Sequence, residues 1–292
     1  GGTVHALIER QAARQPHAVY ARATESERHI TYGELAHGCR RVAGVLARHG
    51  AKPGETISVV MPNGLQTLRL LLGAMHAGYC VNPVNLLSQP EQMRYVLAHS
   101  DCRVLCVAPE WEERLRAMLD GIGRPVSVLV ADPDAAAPPG EADVTATAEA
   151  PAPAPDSVAL LMYTSGTTGL PKGVMLSQRN LAANAQAISA EHELDPEDRV
   201  LAVLPLYHIN AFAVTMLAPL AHGGSLALPP RFSAGRFWEQ AAQTQCTWIN
   251  VAPTMISYRL EGANPPAAQT ARIRFCRSAS AALPPQRPRA LG

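Results

Sequence analysis

The sequence has little net charge and no long run of one sign. Lysine and arginine number 25 against 24 aspartates and glutamates, a formal balance of +1. Such a field recommends neither nucleic acid nor an anionic membrane as partner, and no basic run is interleaved with aromatic residues. Two stretches, 70–90 and 200–230, contain almost no charge beyond their edges. Pro, His and Asn interrupt both, and their continuous apolar parts fall short of the roughly 18–20 residues that a bilayer requires. They read as buried core, and no transmembrane segment is expected. Of six cysteines, only Cys102 and Cys106 are close in sequence. Their spacing, without a nearby histidine pair, fits neither a zinc knuckle nor a redox C-x-x-C motif. Buried reduced thiols of a cytoplasmic protein are the expectation. The first residues, Gly1, Gly2 and Thr3, begin no basic-then-apolar targeting run.

What is present is a globular composition, 47% hydrophobic and 17% charged over 292 residues, enough for one large or two fused α/β units. Thr31-Tyr32-Gly33-Glu34 has capping-box spacing, and Leu35, Cys39, Val42 and Leu46 follow on one helical face. Gly50 marks the stop. Residues 56–61 read as a strand and 65–77 as a buried helix ending at Gly78. The apolar runs 103–107 and 126–131 read as buried parallel strands. Residues 133–156, rich in Ala, Pro, Gly and acidic side chains, are expected to form a flexible surface connection. That divides the chain into a first α/β subdomain, 1–132, and a second, 157–292. In the second, strands are expected at 158–163, 200–204, 225–228, 247–251 and 273–276, with helices from Ser177, around 212–221 and over 235–245. Strands separated by helical patterns give an α/β class with mostly parallel sheets, stacked as αβα subdomains.

The informative segment is Tyr163-Thr164-Ser165-Gly166-Thr167-Thr168-Gly169-Leu170-Pro171-Lys172-Gly173, directly after an apolar strand. Loops leaving the carboxyl ends of parallel strands are where α/β proteins bind ligands. Gly166 and Gly169 let the backbone approach a phosphate, the hydroxyls of Thr164, Ser165, Thr167 and Thr168 add donors, and Lys172 adds a positive charge. Pro171 before Lys172 and Gly173 after it exclude a Walker A loop.

This string resembles the signature of the adenylate-forming superfamily: acyl- and aryl-CoA ligases, firefly-type luciferases and peptide-synthetase adenylation domains. Thr31-Tyr32-Gly33-Glu34-Leu35 resembles the family's early T-Y-x-E-L helix start. Gly78-Tyr79-Cys80-Val81-Asn82-Pro83-Val84-Asn85 resembles its G-A-x-x-x-P-x-N segment. The resemblance implies the large N-terminal domain and a two-step reaction. A carboxylate attacks the α-phosphate of ATP, and the thiol of CoA then displaces AMP. It implies that Thr164, Ser165, Gly166, Thr167, Thr168 and Gly169 hold the β- and γ-phosphates with help from Lys172, and that Thr167 is the candidate Mg2+ ligand. Pro205-Leu206-Tyr207-His208 matches the family's P-x-x-H, whose histidine lines the acyl site near the α-phosphate. The family's F-D-x-S-like alternative, usual in amino-acid-activating domains, is absent, which favours a CoA ligase. The resemblance further places Asn210, Ala211 and Phe212, then Asn250, Val251, Ala252 and Pro253, along the carboxylate-substrate cavity. Ser278, Ala279, Ser280 and Ala281 fall in the adenine loop, which departs from the usual S-G-A-A-P-L at Ala279 and Ala282. The expected ligands are thus ATP, Mg2+, CoA and a small carboxylate. Few polar and no charged residues mark the cavity segments, which suggests an aromatic or medium aliphatic acid.

The family's Y-G-x-T-E and T-G-D motifs and its distal catalytic lysine find no counterpart here. With no initial Met and an end at Gly292 after a proline-rich turn, the chain is expected to be a fragment with little adenylation activity alone. A module that loads a carrier-protein thiol and a non-catalytic nucleotide-binding relic are the alternatives. Oligomeric state is not legible.

Overall fold

The computed structural model describes residues 2–140, 151–164, 169–255 and 265–278. Helix α1 (Val4–Arg14) is capped by Thr3, whose hydroxyl accepts from the Ala6 N–H. Strands β1 (Val19–Ala23) and β2 (His29–Thr31) follow and pair antiparallel. Helix α2 (Tyr32–Arg48) starts at the capping box read from the sequence. Glu34 N–H donates to the Thr31 hydroxyl at 3.2 Å, and Thr31 N–H donates to the Glu34 carboxylate at 2.8 Å. Leu35, Cys39, Val42 and Leu46 are buried on its inner face. Gly50 takes the positive φ, +86°, that a helix stop of this kind requires.

Strand β3 (Thr56–Val60), helix α3 (Leu65–His76), strand β4 (Cys80–Pro83), helix α4 (Pro90–His99), strand β5 (Val104–Val107), helix α5 (Glu112–Leu119) and strand β6 (Ser127–Val130) complete the first half. Every residue of α3 is buried. It lies so close to α2 that a Cβ built on Gly73 would sit 2.6 Å from the Val42 Cβ.

The second half contains β7 (Val158–Thr164), β8 (Lys172–Ser177), α6 (Gln178–Glu191) and β9 (Arg199–Ala202). A single helical run follows: α7 (Ile209–Ala211), a π turn (Phe212–Leu217) and α8 (Ala218–His222). Strand β10 (Ser225–Leu228), helix α9 (Phe237–Gln243), strand β11 (Trp248–Val251), helix α10 (Ala267–Thr270) and strand β12 (Phe275–Ser278) complete the described elements.

These strands form two six-stranded sheets, β12-β11-β9-β10-β1-β2 and β6-β5-β3-β4-β7-β8. All neighbours are parallel except β1–β2 and β7–β8, so the α/β class with mostly parallel sheets holds. The sheets do not follow the sequence order. Strands β1 and β2 join the sheet built mainly from residues after 157, while β7 and β8 join the sheet of β3–β6. The buried Tyr20 and Tyr32 strengthen this interleaving. Tyr20 donates its hydroxyl to the Met216 carbonyl at 2.6 Å, and Tyr32 donates to those of Pro219 and Gly224 at 2.9 and 2.6 Å. Burial of both hydroxyls raises their pKa and keeps them as donors.

The connector differs in one respect from its composition. Over 133–140 it is held rather than loose. The Arg69 guanidinium donates to the carbonyls of Ala135 and Ala136, Gln66 to that of Ala137, and Gln66 N–H to that of Pro133. A chain with no large apolar side chains is thus fixed through its backbone acceptors, which composition does not register. A second difference concerns the loop after β7, which leads into β8 before the helix begins. Ser177 still caps α6, accepting from Asn180 N–H at 3.1 Å.

Cys39, Cys80, Cys102, Cys106 and Cys246 are buried free thiols. Burial pushes the Cys80 and Cys246 thiols up to about 11 and that of Cys106 up to about 12, so all three are inert thiols near neutrality.

Candidate active site

Strand β7 ends at Thr164, whose register partner on β8 is Lys172. The Thr164 hydroxyl donates to the Lys172 carbonyl at 3.5 Å. The hairpin therefore brings these two residues together at its tip, both exposed. Ser165, Gly166, Thr167 and Thr168 lie outside the described residues. Gly169 re-enters with φ +91° and open space where a Cβ would stand. Lys172 forms no ion pair with a described residue. A hydroxyl, a left-handed glycine and an uncompensated ammonium form a donor set suited to an anion.

Beside the tip lies an open cavity of about 640 Å³. The hairpin contributes Leu160, Met162, Val174 and Leu176 to its lining; Leu204, Pro205, Tyr207, His208, Ile209, Asn210, Ala252 and Met255 supply most of the rest. The alternation of Leu160, Met162 and Thr164 is the period-2 face of a strand. No Asp, Glu, Lys or Arg lines this space among the described residues. A cleft of about 260 Å³ adjoins it, with Ser88, Gln92 and Pro171 in its lining; Asn85, Tyr163, Tyr207 and His208 line both spaces.

His208 occupies the N-cap position of α7, in extended conformation. Its carbonyl accepts from Phe212 N–H at 3.0 Å, and its ring meets Tyr207 edge-on with centroids 4.8 Å apart. Desolvation at the cavity wall holds the imidazole below its ordinary pKa, so it is neutral at neutral pH and available to accept or donate one proton. The helix it opens widens at once into the π turn, an arrangement that α-helices use mostly near functional sites.

The other residues named from the sequence divide. Asn210 and Ala252 line the cavity. Ala211, Phe212 and Val251 are buried in the core behind it, and Pro253 is half-buried without lining it. Asn250 is fully buried and donates its Nδ2 to Asn210 Oδ1 at 2.7 Å, while its own Oδ1 is buried without a partner among the described residues. Ser278 ends β12 beside Val251, and Ala279, Ser280 and Ala281 lie outside the described residues. Sequence reasoning did not single out Tyr163, Tyr207, Met162, Val174 or Leu176 as lining residues. The alternation along β7 carried that signal for Met162, whereas Val174 and Leu176 sit on the unexpected strand.

Among the described residues, one group, His5, Glu9 and His76, gathers metal-ligating atoms. Its imidazoles are stacked, with centroids 4.1 Å apart and planes 25° from parallel, and His76 Nε2 is 2.7 Å from Glu9 Oε1 while His5 Nδ1 is 2.8 Å from the His76 carbonyl. The Arg40 guanidinium also holds both Glu9 oxygens at 2.8 Å. The group is a polar clasp between α1, α2 and α3, and none of it lines the cavity. No helix among the described residues is long and apolar enough to cross a membrane.

A family model described as "AMP-binding enzyme" matches residues 8–291. The sulfoacetate–CoA ligase of Cupriavidus necator is 52% identical over 289 residues, which cover 99% of this chain and 56% of that protein. The oxalate–CoA ligase of Arabidopsis thaliana is 30% identical over 299 residues, covering 97% and 56%. The chain therefore spans little more than half the length of these relatives. Among solved structures, ATP-bound MatB from Rhodopseudomonas palustris superimposes with a TM-score of 0.88 at 24% identity, over 99% of this chain and 57% of that one.

Proposed function

This chain belongs to the AMP-binding enzyme family, and we propose that it forms the phosphate- and acyl-binding part of an ATP-dependent carboxylic acid–CoA ligase. The observation that carries the reading is the uncharged cavity of about 640 Å³ that opens between the tip of the β7–β8 hairpin and His208. Thr164, at which the proposed anion-binding loop begins, lines this space, which suits an acyl group. An acid held there with its carboxylate toward the tip would face the α-phosphate of an ATP held by the loop.

The chemistry follows from those positions. The carboxylate oxygen attacks the α-phosphorus, the bond to the bridging oxygen breaks, and pyrophosphate leaves. The CoA thiol then attacks the acyl carbon and AMP departs. Most of the catalytic work in phosphoryl and adenylyl transfer is charge stabilisation and positioning. Thr164–Gly169 and Lys172 donate to the β- and γ-phosphates, and Ser278–Ala281 approach the adenine. Mg2+, for which Thr167 is the candidate ligand, would neutralise phosphate charge as the pyrophosphate leaves. His208, neutral and at the rim, is placed to donate a hydrogen bond near the reacting carboxylate.

Two readings of the acid stand side by side. The uncharged lining supports an aromatic or aliphatic acyl group, because a second anion there would lack a cationic partner. The 52% likeness to a sulfoacetate–CoA ligase supports a short acid bearing a second anionic group. A panel of sulfoacetate, oxalate, a cinnamic-type acid and a medium-chain fatty acid, assayed with the complete gene product for pyrophosphate release, separates them. CoA and a pantetheinyl carrier protein, offered in parallel, test the acceptor. Thioester formation with free CoA is expected. Transfer to the carrier alone would favour a carrier-loading module, and no pyrophosphate from any acid would favour a non-catalytic nucleotide binder.

A further inference from the structure

The hairpin that leads into the proposed phosphate-binding loop lies at one edge of its sheet. Strand β7 pairs with β4 at one register position, Val81 with Leu160, and β8 is the outermost strand. One residue further along β7, the Leu161 carbonyl accepts from Asn82 Nδ2 at 3.0 Å, and buried Ser58 donates to Asn82 Oδ1 at 2.8 Å. The last residues of the hairpin, from which the loop departs, extend past that support.

Tyr163 reaches from this free end to α4. Its hydroxyl is 2.8 Å from His99 Nδ1, and its ring meets the His99 ring edge-on at 5.7 Å and 83°. His99 is stacked in turn on Tyr95, one helical turn earlier, at 5.2 Å and 21°. Burial, with neighbouring Tyr95, Asp101 and thiol groups, pushes the Tyr163 hydroxyl up to about 12, so it remains a protonated phenol near neutral pH. Across the hairpin, Gly173 faces Tyr163, and a Cβ there would lie 3.0 Å from Leu161 and 3.4 Å from the Tyr163 ring. The glycine therefore leaves room for the tyrosine in the orientation that meets His99. Thr164 is the next residue along β7, and the loop begins with it.

We propose that His99, braced by Tyr95, is a positioning residue: through Tyr163 it fixes the end of β7 at Thr164, and so the placement of the nucleotide phosphates. The consequence for ATP rests on the ligase reading above, while the latch itself does not. His99 is exposed and lines neither cavity, so it acts only through Tyr163. Losing one such hydrogen bond is worth about fivefold in an equilibrium.

The experiment uses the complete gene product with His99→Ala, His99→Phe and Tyr163→Phe. Phe at position 99 keeps the stacking on Tyr95 and removes the hydrogen bond. Amide exchange of the protein without ligand is expected to be about fivefold faster in peptides spanning residues 161–175 of each variant, with β3 and β5 unchanged. In the two His99 variants the KM for ATP should rise about fivefold while the KM for the acid stays within about twofold. His99→Phe combined with Tyr163→Phe should be no worse than either alone, since both delete the same bond. Unchanged exchange over 161–175 would overturn the latch. Faster exchange with an unchanged KM for ATP, or additive single effects, would overturn the positioning role. If the unsubstituted protein consumed no ATP with any acid, the ligase reading would fail, and the exchange measurement would still decide the latch.

Discussion

Lowering the pH from 7 to 5 should destabilise this fold by about 2 kcal/mol through His222 alone. The imidazole ends α8, with Nδ1 2.9 Å from the Ser189 hydroxyl and Nε2 buried without a partner among the described residues. The packing leaves no slack, because a Cβ on Gly224 would lie 2.6 Å from that Nε2. Burial therefore lowers the pKa from 6.5 to about 4, against a weaker opposing pull from the carboxylates of Asp198 and Asp195. A histidine whose folded pKa is depressed binds protons more readily in the unfolded chain. Its contribution is whole above the unfolded value and is lost as the pH falls from about 6.5 towards 4. Between pH 7 and 5 the loss is about 2 kcal/mol, which is a ceiling because the ring is not wholly buried. His76 acts in the same direction, through burial and the neighbouring His5, with Glu9 opposing. The depressed carboxyl of Asp198, bonded to Thr247 and Arg274, contributes stability that is lost only below about pH 4, outside this window. Urea unfolding at pH 7, 6 and 5, repeated with His222→Gln, measures the effect. The substitution should remove roughly half of the pH-dependent loss. A flat profile between pH 7 and 5, or a slope that His222→Gln leaves unchanged, would refute the reasoning.

Gly73→Ala places a methyl where the Val42 side chain stands, 2.6 Å away. Overpacking of about 1–3 kcal/mol, less about 1 kcal/mol of helix propensity gained, should lower the stability by up to about 2 kcal/mol. A second substitution, Val42→Ala, should recover part of the gap in urea unfolding; strictly additive losses would show that the contact is not the cause. His208→Ala in the complete gene product should reduce thioester formation about tenfold with little change in unfolding midpoint, and unchanged kinetics would return His208 to a purely structural N-cap.

Much of the fold was legible because local and periodic signals agreed. The capping box at Thr31 and Glu34, the buried stripe of α2 and the glycine at position 50 each point to the same helix, and that helix is there. Less was legible where a residue's fate depends on partners far along the chain. Nothing local tells β1 to join β10 rather than β3. Nothing in an Ala/Pro-rich string says that Arg69 will hold its carbonyls. Strand β8 escaped notice because Lys172–Ser177 is an edge strand, largely exposed, and its apolar residues Val174 and Met175 present no one-sided pattern. The site shows the same division. Its polar residues were readable from the string Tyr163–Gly173 and from His208, whereas the apolar wall formed by Val174 and Leu176 depended on the hairpin.

On the ligase reading proposed above, the hairpin would reconcile an uncharged cavity with an ionic reaction. Charge is segregated along β7 and β8. Leu160 and Met162, with Val174 and Leu176 opposite, face the cavity, and the hydroxyl of Thr164 and the ammonium of Lys172 are confined to the tip. An acid with an apolar acyl part, on that reading, would bury it against the walls and keep its charge at the end where the donors are. The alternative orientation would bury a carboxylate against Leu160 and Leu176 with no partner, at a cost of several kcal/mol. Orientation is thus imposed by the strand's period of two, before any specific contact with the acid is made. The neutral state of His208 fits the same scheme. An imidazolium at the rim would pull the carboxylate towards itself and away from the tip, whereas a neutral ring, its pKa depressed by burial, could donate one hydrogen bond without adding a competing positive charge.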